Sequence, residues 1–189
     1  MRIDLKPLKD EDLVGLFKEG EERAFDELYQ RYAQRLKRLI YFYLCDADMA
    51  EDVLHDVFLR VFMHLGSFKI EMAFSSWIYR IAVNCCKNCR KKQKKDMELI
   101  ETQHLEANEA AHSPSPEEVV IREDEMRMFQ EAVESLKEKF RVVFLLRYDQ
   151  GLHYSEISGI LNCPERTAKW RMQKAVEKIV EYLRDRHVV

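Results

Sequence analysis

Pro7 and Pro114 bracket a stretch of chain that contains no proline at all. Proline breaks helix interiors because it lacks the N–H and clashes with the preceding turn, so its long absence leaves the segment open to helix throughout. Apolar residues across this stretch recur at three- and four-residue intervals, and runs of β-branched residues are few. With 47% apolar and 34% charged residues the chain buries a core and is not disordered as a whole. The expectation is an all-α protein.

The periodicity places the helices. Residues 10–19 form a short amphipathic segment that ends at Gly20. A longer helix then puts Phe25, Leu28, Tyr29, Tyr32, Leu36, Leu39, Ile40 and Tyr43 on its inner face, with Arg31, Arg35 and Arg38 off it. The stretch DADMAED (46–52) has the side-chain oxygen and early acids of a helix start. Its helix runs to Leu65 with Val53, Leu54, Val57, Phe58, Val61, Phe62 and Leu65 inward, and it shows Glu51, Asp52, His55, Asp56 and Leu59 on the other side. After a loop at 66–73, a fourth helix from Phe74 to Lys94 buries Phe74, Ile78, Ile81, Ala82, Cys85 and Cys89. A second stripe on this helix, Trp77, Arg80, Asn84, Lys87, Asn88 and Lys91, aligns a tryptophan with amide and basic side chains. That arrangement suits stacking on a base while holding its backbone.

The net charge of −3 averages unlike pieces. Residues 1–95 hold 18 basic and 15 acidic residues; 96–125 hold 1 and 10; 126–189 hold 12 and 9. Two mildly basic modules, 1–95 and 117–189, are therefore expected on either side of a flexible acidic linker at 96–116, with Ser115 and Pro116 opening the second. A helix at 118–135 is expected to carry Val119, Arg122, Met126, Phe129 and Val133 along one side. The next, at 136–151, holds Phe140, Val143, Phe144 and Tyr148 in register up to Gly151.

Residues 151–175, GLHYSEISGILNCPERTAKWRMQKA, then read as helix, turn and basic helix. Ile157, Ile160 and Leu161 give the first helix an apolar face. Asn162 tolerates the left-handed turn, and Pro164 opens the second helix without losing a needed N–H. Arg166, Thr167, Lys169, Trp170, Arg171 and Lys174 would lie in a major groove. Read alone, this segment also fits a DNA-binding regulator of simpler design.

Other classes find less support. There is no Gly-rich phosphate loop, nucleophile–base signature or HExxH, so no catalytic residue, cofactor or small-molecule substrate is expected. Cys86 and Cys89 supply at most two zinc ligands where a closed site needs four, so no metal is expected. Cys85 and Cys89 fall in the buried stripe, which leaves Cys86 as the thiol for a redox role. Five cysteines, no apolar run near the roughly 18–20 residues of a membrane span, and a start without the apolar core of a signal peptide fit a reducing cytoplasm.

Three blocks in order resemble the extracytoplasmic-function (group four) sigma factors of bacterial RNA polymerase, of the sigma-70 family. AFDELYQRYAQRLKRL and DADMAEDVLHDVFLRVF, within 24–62, are similar to region two through its polymerase-binding helix. FSSWIYRIAVN (74–84) is similar to the promoter −10 segment, and LKEKFRVVFLLRYDQGLHYSEISGILNCPERTAKWRMQKA (136–175) to region four. The family usually carries Gln at His55, Pro at Lys137 and Gly at Asn162. In place of its usual Gly-Thr-Val-Lys-Ser, this chain has Arg166-Thr167-Ala168-Lys169-Trp170.

The resemblance implies a transcription initiation factor that directs core polymerase to promoters. Glu51, Asp52, His55, Asp56 and Leu59 would dock on the β′ clamp, and region four on the β flap. Phe68, Trp77, Arg80, Asn84, Lys87, Asn88 and Lys91 would take the −10 element as single strand, with an unstacked base received near Phe68. The residues of the basic helix would read the −35 element as duplex. A cognate anti-sigma factor is a further implied partner.

Overall fold

The computed structural model describes residues 4–69, 73–103 and 120–186, and every regular element among them is helical. Four helices build the first module: α1 (Asp10–Lys18), α2 (Arg23–Leu44), α3 (Ala47–Leu65) and α4 (Phe74–Gln103). The second holds α5 (Val120–Ser135), α6 (Glu138–Phe144) continued by a π-helical turn (Leu145–Asp149), α7 (Tyr154–Leu161) and α8 (Glu165–Asp185).

The inner face of α2 packs as its periodicity requires, with Leu28, Leu36, Leu39, Ile40 and Tyr43 buried. The helix stops where Cys45 turns left-handed (φ 59°), and Asp46 opens α3 by accepting the Met49 N–H on its carboxylate at 2.9 Å. Arg31 fastens the N-terminal segment to α2. Its guanidinium donates to the Leu8 carbonyl (2.9 Å), the Lys6 carbonyl (2.9 Å) and the Asp10 carboxylate (2.8 Å).

Several expectations shift in register or length. α4 runs through Gln103 rather than ending at Lys94, so the first residues assigned to the linker are helical; 104–116 lie outside the described residues. The continuation KKQKKDMELIETQ consists largely of good helix formers and contains no glycine or proline, so a helix persists after its apolar stripe fades. Val119 likewise lies outside the described residues, and α5 begins at Val120.

Tyr148 was expected beside Phe144 in the core, yet it is 66% exposed. The π-helical turn inserts an extra residue into the register, so Tyr148 swings outward and stacks on Phe144 at 5.0 Å while Gln150 turns in. Tyr29 and Phe62, both expected inward, are about half exposed and touch the core along one edge. Phe62 meets Phe25 edge-on at 5.2 Å, and Tyr29 leans on Phe58 at 4.4 Å.

The stripe predicted to be the single buried face of α4 has company. Tyr79, Val83 and Cys86 are buried too, because α4 packs against α2 and α3 on one side and α7 on another. The second module thus seats on the first through specific polar contacts. The buried Gln150 side chain accepts from the Tyr79 hydroxyl (2.7 Å) and donates to the Arg35 carbonyl (3.1 Å). Arg35 returns a bond to the Gln150 carbonyl at 3.0 Å, and Arg38 pairs with Asp149 at 2.5 Å. Buried amides cost free energy unless paired, so this network specifies how the modules sit.

Burial pushes the Tyr79 hydroxyl up to about 12, and burial likewise raises Tyr32 and Tyr43 well above the ordinary phenol range. These groups hold their protons longer folded than unfolded, so their contribution to stability is full below pH ~10 and is lost as pH rises through the folded values. Alkaline unfolding should therefore set in within roughly pH 10–12. The Tyr79→Phe variant should show a shallower decline over that window, read by far-UV circular dichroism against tyrosinate absorbance. An unchanged decline would remove Tyr79 from the account.

Candidate nucleic-acid and partner interfaces

The acidic edge lies where helix spacing puts it. Asp52, His55 and Asp56 are exposed on α3 and line a groove of about 730 Å³ between α3 and α4, opposite Asn88, Cys89 and Lys92. Glu51 is also exposed and pairs with Lys37 of α2. Leu59 continues the edge, half exposed. Three residues that periodicity assigned elsewhere or left out extend it: Tyr29, Phe62 and Met63 are exposed alongside. Large apolar side chains next to carboxylates on one face mark an interaction surface rather than a solvated one. The signal for Phe62 was available only as its wide angle from the centre of the apolar arc of α3.

The residues expected to form one stripe on α4 divide into two groups. Trp77 is half-buried, packed on Phe68 (4.9 Å) and Phe74 (5.7 Å). Phe68 itself is buried, and its carbonyl accepts from Lys18 at 2.6 Å. The loop is therefore an aromatic cluster with Trp77 at its outer edge, not an open slot beside Phe68. Arg80 reaches the second module, donating to the Gly159 carbonyl at 2.5 Å, and its buried Nε has no partner. Lys87 and Lys91 face the same seam. Asn88 instead lines the acidic groove on the α3 side, and Asn84 is exposed.

The helix-turn-helix forms as its residues dictate. Asn162 takes the left-handed conformation (φ 48°), and Ser158 closes the turn by donating to the Cys163 carbonyl at 2.6 Å. The Pro164 carbonyl accepts the Thr167 and Ala168 N–H groups and so starts α8. Arg166 and Lys169 are exposed; Lys169 pairs with Glu165 at 2.7 Å. Trp170 is 48% exposed and braced edge-on against Phe140 at 5.8 Å. Thr167, Arg171 and Lys174 are half-buried, with Lys174 paired to Glu177 at 2.5 Å. A donor-rich N-terminal half on an exposed helix, held by a buried brace, is the geometry for reading a duplex edge.

Arg141 has no counterpart in the expected site and holds the modules to each other. It is 3% exposed and donates to the carbonyls of Val133 (3.1 Å), Leu136 (3.1 Å) and Glu134 at the end of α5, and to Tyr43 of α2 at 3.0 Å. Burial lowers its pKa, yet the carbonyl end of a helix is where a cation is best placed.

The cysteines are all free. Burial pushes the Cys85, Cys86 and Cys89 thiols upward, which leaves little thiolate for redox chemistry, Cys86 least of all. Among the described residues no three His, Cys, Asp or Glu side chains stand where they could hold one metal ion, and no helix is long and apolar enough to cross a membrane.

The chain is thus a helical bundle with an exposed acidic edge and a basic aromatic helix, followed by a helix-turn-helix module. Residues 28–96 match the sigma-70 region 2 family, and residues 126–179 match the sigma-70 region 4 family. The chain is 34% identical over 178 residues to the ECF RNA polymerase sigma-E factor of Escherichia coli, covering 91% of this chain and 93% of that one. It is 31% identical over 177 residues to the RNA polymerase sigma-H factor of Pseudomonas aeruginosa, covering 90% and 92%. The chain belongs to the extracytoplasmic-function group of the sigma-70 family. Its fold is similar to that of CnrH, solved with the cytosolic domain of CnrY (TM-score 0.70, 19% identity, 96% and 99% covered). It is also similar to the sigma factor RpoE of Bartonella quintana, solved with the anti-sigma factor NepR (TM-score 0.67, 19% identity, 85% and 96% covered).

Proposed function

We propose that this chain works as an alternative sigma factor in the cytoplasm, docking on core RNA polymerase and directing it to its promoters without chemistry of its own. The observation that carries this reading is the exposed edge of Glu51, Asp52, His55, Asp56 and Leu59, continued by Tyr29, Phe62 and Met63. A DNA-binding regulator of simpler design has no use for such an edge. Carboxylates steer the encounter with a basic coiled coil of the β′ clamp, and the apolar side chains supply burial once it forms. Region four docks on the β flap.

Trp77, at the rim of the Phe68–Phe74 cluster, stacks against a base drawn from the −10 non-template strand. Arg80, Asn84, Lys87, Asn88 and Lys91 hold the strand, and Phe68 forms the wall beneath the extruded base. Arg166, Thr167, Lys169, Trp170, Arg171 and Lys174 read the −35 duplex and its phosphates. Arg80 is engaged with Gly159 in the packed arrangement, so the modules separate before both elements are read. An anti-sigma factor, the partner recorded for the RpoE structure of similar fold, gains from holding the modules closed.

Permanganate reactivity of −10 thymines, measured beside electrophoretic binding of the closed complex, tests the division of labour. Trp77→Ala should abolish most thymine reactivity while leaving duplex binding within about threefold, since stacking is worth roughly 1–3 kcal/mol per base. Arg171→Ala should lower duplex binding and opening together. Full opening by Trp77→Ala would contradict the assignment.

A further inference from the structure

Two cavities open along the seam between the modules, of about 540 and 590 Å³, and they share Lys87 and Glu138. One wall is α4, with Lys87, Arg90 and Lys91; the other is the start of α6 and the face of α8, with Lys137, Lys139 and Arg171. Glu138 is the one carboxylate among the described lining residues. With Lys94 also on the α4 wall, seven cations drawn from three helices line the two cavities beside one carboxylate, and like charges gathered in this way repel one another. Arg90 adds a second observation: its guanidinium lies over the Tyr43 ring at 5.8 Å, and its Nε is buried with no hydrogen-bond partner. Buried donors left unpaired cost free energy and mark places where an acceptor belongs.

The geometry points to a binding site for a ligand bearing a run of three or more phosphates, seated across the seam. The cavity volumes fall in the roughly 300–1,000 Å³ range of small-ligand sites, and a concave slot between modules suits a compact polyanion better than a duplex. Phosphate oxygens meet the Lys and Arg donors in charge-assisted bonds. Val142 and Leu161 line one end and leave room for an apolar group attached to the phosphates.

The site draws Lys87 and Lys91 from the proposed −10 set and Arg171 from the −35 set, while Arg90, Lys137 and Lys139 belong to neither. A ligand there engages both walls only while the modules are packed, so it favours the closed arrangement by its differential affinity. Its effect on initiation rests on the sigma-factor reading; its binding does not.

Isothermal titration of the full chain with tripolyphosphate, adenosine triphosphate and guanosine triphosphate tests the site, with sulfate at equal ionic strength as reference. One-to-one binding of tripolyphosphate well above sulfate is expected. The Lys137→Gln/Lys139→Gln double variant should bind at least about tenfold more weakly, the equivalent of one lost charge-assisted contact or more. Lys91→Gln, on the opposite wall, should weaken binding independently, and Lys178→Gln on the outer part of α8 should not. A nucleotide that binds more tightly than tripolyphosphate assigns the apolar end to its base, whereas equal binding assigns the site to the phosphate run alone. Binding no tighter than sulfate, or unchanged in both wall variants, overturns the site. Should the site fail in this way while initiation with core polymerase succeeds, the sigma-factor reading stands without it.

Discussion

Arg141→Ala should destabilise the chain by about 3 kcal/mol or more, the largest loss expected from any single polar substitution here. The guanidinium is buried and serves four carbonyls, two in the last turn of α5, one just past it at Leu136 and one on α2. Truncation takes a donor from each of these acceptors, and although the Val133 carbonyl keeps the Leu136 N–H, each buried acceptor left unpaired costs on the order of 1–3 kcal/mol when it cannot be resolvated. Arg141→Lys should recover little, because one ammonium cannot span both helices with the planar fork that this geometry uses. Chemical denaturation followed by circular dichroism measures the change. A loss under about 1 kcal/mol would mean that the modules relax around the gap and that the Arg141 contacts are incidental.

Charge reversal on the acidic edge should have the largest functional effect. In Asp52→Lys/Asp56→Lys both positions are exposed on α3, so folding should be retained. Opposed to a basic coiled coil, two reversals turn attraction into like-charge repulsion, which costs several kcal/mol and slows encounter. Affinity for core polymerase should fall by about a hundredfold or more. Phe62→Ala, which removes apolar burial but no charge, should slow association little and hasten dissociation more, so its loss should appear in the off-rate. Biolayer interferometry with immobilised core enzyme separates the two. Equal affinity for the double reversal and the unchanged chain would place the polymerase contact elsewhere.

The residues that were legible in the sequence are those whose role depends on local periodicity. Asp46 as a helix cap, Asn162 in the left-handed turn, the exposed line from Glu51 to Leu59 and the donor-rich start of α8 all follow from spacing and side-chain chemistry within a few residues. What spacing did not disclose arises from contacts between distant segments or from departures from regular helix. The π-helical turn at Leu145–Asp149 carries no distinctive residue, yet it turns Tyr148 out and Gln150 in. Tyr79 and Cys86 looked like positions off the buried stripe of α4, because that stripe was drawn for a helix with a single packed face. Trp77 and Arg80 were aligned with Asn88 by spacing alone; the second module and α3 separate them in space. The long tail of α4 is not legible in the sequence because high helix propensity without apolar repeat resembles a linker in composition.

In the proposed function, one chain joins a polymerase-docking edge to two promoter-reading surfaces. Promoter-directed transcription in vitro, with purified core RNA polymerase and a library of promoter sequences, tests it most directly. Transcripts should start from a defined subset of the library only when this chain is present, and they should vanish with Asp52→Lys/Asp56→Lys. Start sites that are identical with and without the chain would contradict the account.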